Sequence, residues 1–149
     1  AEITMTSSES DMTESMLFYF DNVKDESADL VFEWEKVKWM ISIEAESNAL
    51  ALKNIEDKIK SMQDFRVYNS SARYYLDHNQ DLEQALAWSK KSVEIEKTFW
   101  NVYAVSLIYH KMGNKKMAIQ TAEMSLKMSE EANYQPYVKM NKENIANWK

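Results

Sequence analysis

The sequence predicts an α+β protein in which a short antiparallel β segment precedes a longer helical region. The 149 residues include one glycine and one proline, so residues suited to tight hairpins and sandwich corners are scarce, and helices are favoured over an all-β fold. Apolar residues alternate with a period of two between Met16 and Ile43, as they do in strands. After Ser47 they recur every three or four residues, as on one face of a helix.

The first residues have a different composition from the rest of the chain. Residues 1–14, AEITMTSSESDMTE, are polar and without sustained periodicity, which predicts a flexible acidic leader. Residues 1–35 contain ten acidic residues and one lysine, whereas residues 36–149 contain fourteen acidic and seventeen basic residues. The helical region is therefore mildly basic. It lacks the clustered lysines and arginines that phosphate neutralisation requires, so we expect no nucleic-acid partner.

Residues 15–46 are predicted to form three short strands at 16–20, 30–34 and 37–43. The connection DNVKDESAD supplies the first turn. The dipeptide Glu35-Lys36 lacks the Asn-Gly chemistry of a two-residue hairpin, so the second turn stays open between a hairpin and a bend in one long strand. Both faces of this sheet carry apolar residues and its edges are unpaired. We therefore expect it to pack on a further sheet or to self-associate through the β segment.

Six helices are predicted within residues 47–149, which we assign to one helical domain. The first carries the stripe Leu52, Ile55, Ile59 and Met62, the second begins near Tyr68, and the others are expected at about 82–96, 99–112, 114–131 and 135–148. Asn79 and Gly113 are expected to end the second and fourth helices. Asp81 should cap the third helix, and Pro136 should lie in the first turn of the sixth.

Two helical hairpins repeat along the helical region. The stretch ALAWSKKSVEI, residues 85–95, superposes on AIQTAEMSLKM, residues 118–128, at an offset of 33, which places Ser92 on Ser125. The preceding helices superpose Tyr75 on Tyr109 and Asn79 on Gly113 at an offset of 34. A helical hairpin that recurs at this period predicts a stacked array.

These hairpins resemble the tetratricopeptide repeat. A small residue followed by a tyrosine on the first helix, Gly113 at the turn and an alanine at the start of the second helix carry the resemblance. It implies that Gly113 lies between closely packed helices with a positive φ. The first repeat departs from the pattern with Asn79 at the glycine position, and neither repeat ends in proline.

A second resemblance covers most of the chain. FYFDNV, LVFEWEKVKWMISIEAE, ARYYLDHNQDLEQALAWSKKSVEI, FWNVYAVSLIYHKMGNKKMAI and YVKMNKENIANW are similar to the C-terminal half of a bacterial family, domain of unknown function 2911. The resemblance implies an exported protein with a periplasmic or other extracytoplasmic location and no established activity. It also implies that a β-rich domain ends at residues 15–46 and is followed by two tetratricopeptide-like hairpins and a capping helix.

The sequence offers few residues for catalysis. Cysteine is absent, and the two histidines, His78 and His110, are far apart in the sequence, which excludes Cys-His pairs and HExxH sites. A single glycine excludes a Gly-rich phosphate loop. We therefore expect a non-enzymatic protein without cofactor or metal. The longest stretch free of charge, 98–110, is 13 residues, too short to span a membrane.

The inner surface of a stacked array is lined by the first helix of each hairpin. The residues that the repeat places there are Arg66, Asn69, Arg73, Asp77, Trp100, Tyr103, Leu107, His110 and Lys111. This mixture of cations, amides and aromatic rings suits a peptide or protein segment with an acidic group near Arg73 and Lys111. The alternatives are an Arg73–Asp77 salt bridge with no ligand, packing against the protein's own β-rich domain, and an accessory role beside an enzyme or ligand site in that domain.

A second stripe lies on the fifth helix. It comprises Met117, Thr121, Met124 and Met128. We expect it to seat the C-terminal helix through Val138, Ile145 and Trp148, with an open Met-rich binding surface as the alternative.

Overall fold

The computed structural model describes residues 5–149, which divide into two compact units. The first contains the β strands and extends to Asn54, and the second runs from Ile55 to Lys149. The α+β prediction is confirmed. Within residues 5–149, no helix is both long enough and apolar enough to cross a lipid bilayer.

The first unit is built from two antiparallel strands, β1 (Ser8–Asp21) and β2 (Ser27–Glu44). Phe18 lies opposite Phe32 and Phe20 opposite Leu30, while two irregularities interrupt the register between Glu9 and Leu17. Strand β1 thus begins inside the predicted flexible leader, because the polar residues from Ser8 onward pair with β2. Residues 1–4 of that leader lie outside the described residues.

Strand β2 reverses direction near Glu35. The Ser42 hydroxyl donates a 2.7 Å hydrogen bond to the Asp29 carboxylate 13 residues away, whereas a straight strand would hold them about 40 Å apart. Further contacts join the two halves, with the Phe32 and Trp39 rings 4.9 Å apart and Glu33 3.2 Å from the Lys38 ammonium. Glu35 itself has a φ of 55°.

The prediction of three separate strands is not confirmed, since the segments predicted as the second and third strands both lie within β2, on either side of its reversal. The ladder to β1 continues through the reversal, from Leu17 opposite Glu33 to Ser8 opposite Lys38, so that β1 follows the outside of the bend. The sequence allowed either a hairpin or a bend in one long strand at Glu35-Lys36. In the structure β2 is one strand that pairs with β1 on both sides of Glu35, and its two halves meet as they do in a hairpin.

Six helices follow β2 in the described chain. They are α1 (Ser47–Ser61), α2 (Phe65–Asp77), α3 (Leu82–Ile95), α4 (Phe99–Lys111), α5 (Lys115–Glu131) and α6 (Gln135–Trp148). The helix α1 contains no buried residue. From α2 onward each helix packs on the next, and α4 also contacts α2 and α6. The core of the second unit has two clusters, around Ile108 and around Trp148.

Three helices of the second unit end in the same turn. Asn79, Gly113 and Asn133 have φ values of 52°, 80° and 53°, and each turn is closed by an N–H bonded to the carbonyl five residues earlier. The predicted stops at Asn79 and Gly113 are confirmed. A Cβ on Gly113 would meet no described atom within 4 Å, so the positive φ, and not a lack of space at this position, favours glycine there.

A chain of buried hydrogen bonds appears twice in the second unit. The Ser92 hydroxyl donates to the carbonyl of Phe65 at 2.7 Å and accepts from the Asn101 amide at 3.1 Å. Ser125 likewise donates to the carbonyl of Phe99 at 2.7 Å and accepts from the Asn141 amide at 3.0 Å. The hydrogen bonds of Ser92 join α2, α3 and α4, and those of Ser125 join α4, α5 and α6. The serines that the sequence repeat superposes thus make equivalent contacts.

Candidate functional site

Arg73 on α2 is a partly buried cation. No carboxylate of residues 5–149 lies within salt-bridge distance of its guanidinium, so the alternative of an Arg73–Asp77 salt bridge is not supported. Burial raises the pKa of the Tyr137 hydroxyl, and the positive charge of Arg73 opposes that rise. Arg73 is therefore close enough to Tyr137 to interact with it electrostatically.

Tyr103 connects this region to α4. Its hydroxyl accepts a 2.9 Å hydrogen bond from the Asn144 amide of α6, and its ring meets the edge of Tyr137 at 5.3 Å. Phe99 contacts both Tyr137, at 5.0 Å, and Tyr134, at 5.3 Å. These rings form a continuous aromatic wall between α4 and α6. Tyr103 is buried, whereas Phe99 and Tyr137 are partly exposed and offer ring surface to the side chains of a bound peptide.

Asn69 lies one helical turn before Arg73 on α2. Its side-chain oxygen is buried, and no hydrogen-bond donor contacts it in the described part of the chain. A buried carbonyl oxygen without a donor costs about 1–3 kcal/mol, so such an atom calls for an explanation.

Other predicted residues of α2 and α4 lie at the two ends of these helices. The Arg66 guanidinium lies 5.2 Å from the centre of the Phe65 ring, which in turn lies 5.5 Å from the ring of Trp100. Asp77 and Lys111 are exposed near the C-terminal ends of their helices, and neither forms an ion pair within residues 5–149.

Leu107 and His110 contact residues of α6. Leu107 packs against the cluster that contains Ala118, Ala122 and Trp148. His110 stacks on the indole of Trp148 with ring centres 4.5 Å apart. The structure therefore gives these two predicted site residues intrachain roles in seating α6.

Sequence reasoning missed Tyr137 and Asn144, because α6 was treated only as a cap that buries Val138 and Trp148. Those two residues are buried as expected. One signal was available: Tyr137, Asn141, Asn144 and Trp148 recur at helical spacing, so polar groups accompany the apolar stripe. Which partners they meet depends on the position of α6 against α4.

The stripe of methionines on α5 faces α3 and α4, whereas the sequence predicted that it would seat α6. Met117, Thr121 and Met124 line an apolar groove of about 210 Å³, together with Val93 of α3 and Val102 of α4. The residues of α5 that pack with Trp148 and Ile145 are instead Ala118, Ile119 and Ala122. Small alanines allow α6 to approach α5 closely, which explains why the larger methionine side chains are not used for that contact.

Comparisons with protein-family models, with curated proteins and with solved structures find no significant match to this chain.

Proposed function

We propose that the second unit is a non-enzymatic protein-interaction module that binds a peptide or protein segment across α2, α4 and α6. The observation that carries the proposal is Arg73, a partly buried cation without a carboxylate partner among the described residues, whose charge reaches the Tyr137 hydroxyl. A buried cation gains most from an anionic ligand, because low local dielectric strengthens the interaction.

We further propose that α2/α3 and α4/α5 are two tetratricopeptide-like hairpins and that α6 caps them. The repeated Phe–Ser–Asn hydrogen-bond chain supports this proposal, as do the matching turns at Asn79 and Gly113. In an array of this kind the first helices of the hairpins share one surface, which is the one that carries Arg73 and Tyr103.

The ligand class follows from the chemistry of the surface. An acidic side chain or a C-terminal carboxylate would pair with Arg73, and an apolar side chain would lie on Tyr137 or Trp100. A charge-assisted hydrogen bond contributes about 1.5–3 kcal/mol, so removal of the Arg73 charge should weaken binding roughly 10- to 100-fold.

A peptide array tests the proposal directly. The full chain is applied to immobilised peptides of varied sequence with free or amidated C-termini, and dissociation constants are measured in solution for the peptides that bind. Arg73→Gln should weaken binding as stated, and peptides that lack an acidic group should bind less. Lys127→Gln is the matched control, because Lys127 is an exposed cation on α5 outside this surface. Equal affinities for the two variants would contradict the proposal.

A further inference from the structure

One face of the β sheet in the first unit is apolar and exposed. We define the apolar face by the side chains that the strand register and alternation place on one side, namely Phe18, Phe20, Leu30, Phe32, Trp39 and Ile41. Rings contact across it, with Phe18 at 4.8 Å from Phe32. Five of these residues and Met5 line a shallow apolar groove of about 290 Å³. Phe18 and Phe20 remain 66% and 62% exposed.

The opposite face of the sheet carries charged and polar groups. Tyr19 donates to the Glu33 carboxylate at 2.9 Å, and the Lys38 ammonium lies 3.2 Å from that carboxylate and 3.3 Å from the Tyr19 hydroxyl. Val31 is fully buried on this side. The two faces therefore differ in chemistry, and the apolar face contains no charged side chain.

The apolar face is large enough to support an interface. Aromatic side chains present about 150–250 Å² each, so the exposed parts of Phe18, Phe20 and their neighbours offer about 500 Å² per copy. Two copies packed face to face would bury about 1,000 Å², which is the size of a weak, reversible interface. A patch of this size is about as large as the largest apolar patch on a typical monomer, and such patches are often functional.

We propose that the apolar face binds a second copy of this chain and forms a two-layer β sandwich about a two-fold axis. The face is neutral and made of like residues, so it is complementary to itself, as a two-fold contact requires. The first unit is acidic elsewhere, and acidic residues outnumber lysines at residues 5–54. Approach through the charged face or the turns would therefore be repulsive, whereas packing of the apolar faces keeps the charges in water. This inference is independent of the function proposed for the second unit.

Sedimentation equilibrium of the full chain, from about 1 to 200 μM, tests the proposal because a dimer forms by mass action. We expect a reversible monomer–dimer equilibrium. The variant Phe18→Gln/Phe20→Gln should weaken it at least about 30-fold, since residues at the centre of an interface carry most of its affinity. The matched control Leu17→Gln/Met40→Gln changes two exposed residues of the opposite face and should leave the dimer intact.

Three outcomes would overturn the proposal. A chain that is monomeric throughout the concentration range does not use the face for self-association. A dimer that both double variants weaken equally pairs through strand edges instead, because Leu17 and Phe18 flank the same backbone. A dimer that neither variant affects uses another surface. Circular dichroism of all three proteins shows that a loss of association is not a loss of folding.

Discussion

The buried serine hydroxyls of α3 provide a sharp test of how the helices are joined. Ser92 and Ser89 are both fully buried on α3, one helical turn apart. Ser92 bridges the Phe65 carbonyl and the Asn101 amide, whereas the Ser89 hydroxyl has no hydrogen-bond partner in the described part of the chain. The same substitution should therefore have opposite effects at the two positions.

Replacement of Ser92 by alanine leaves two buried polar groups short of a partner, which costs about 1–3 kcal/mol. Replacement of Ser89 by alanine removes an unpaired hydroxyl and should be neutral or stabilise by up to about 1 kcal/mol. Alanine also favours the helix by about 0.5 kcal/mol over serine at both positions, so this contribution cancels in the comparison. The free energies of unfolding should differ by about 1–4 kcal/mol between the two variants.

Urea unfolding followed by circular dichroism measures this difference. A slope of about 1–2 kcal/mol per M separates the two midpoints by at least about 0.5 M, with Ser92→Ala unfolding first. A double-mutant cycle of Ser92→Ala with Asn101→Ala should give a coupling of about 1 kcal/mol, since the two side chains share one hydrogen bond. Equal midpoints for Ser92→Ala and Ser89→Ala would refute the reasoning.

Three further predictions concern local features. Gly113→Ala should lower stability by about 1–2 kcal/mol and Gly113→Asn by less, as measured by urea unfolding, because the strain lies only in the positive φ. Asp81→Ala should cost about 1 kcal/mol in the same assay, since the Asp81 carboxylate accepts from the N–H groups of Glu83 and Gln84, and no loss would contradict the capping role. Hydrogen bonds from Asn22 and Ser42 lower the pKa of Asp29 below its ordinary value of 3.8, so this stabilisation of the β unit is present above that value and is lost as the pH falls through the lower folded pKa. An NMR titration should show the lowered pKa, and Ser42→Ala should raise it; an unchanged pKa would argue against the bond between the halves of β2.

The sequence by itself determined the features that depend on neighbouring residues. Helix bounds near 82–95 and 135–148, the cap at Asp81 and the left-handed turns at Asn79 and Gly113 follow from propensity, capping and backbone sterics within a few residues. The repeat also indicated that Ser92 and Ser125 are equivalent, because equivalent helices place equivalent residues at the same contacts.

Only the tertiary structure decided which distant groups meet. Strand β1 pairs with both halves of β2 around Glu35, and the polar residues from Ser8 onward are strand because of that pairing rather than their own preference. The candidate surface gains Tyr137 and Asn144 from α6, while Met117 faces α3. A periodic pattern shows that a helix has an apolar face. Which neighbouring helix that face contacts depends on how the side-chain volumes of the two helices fit together. This fit is seen only in the packed structure.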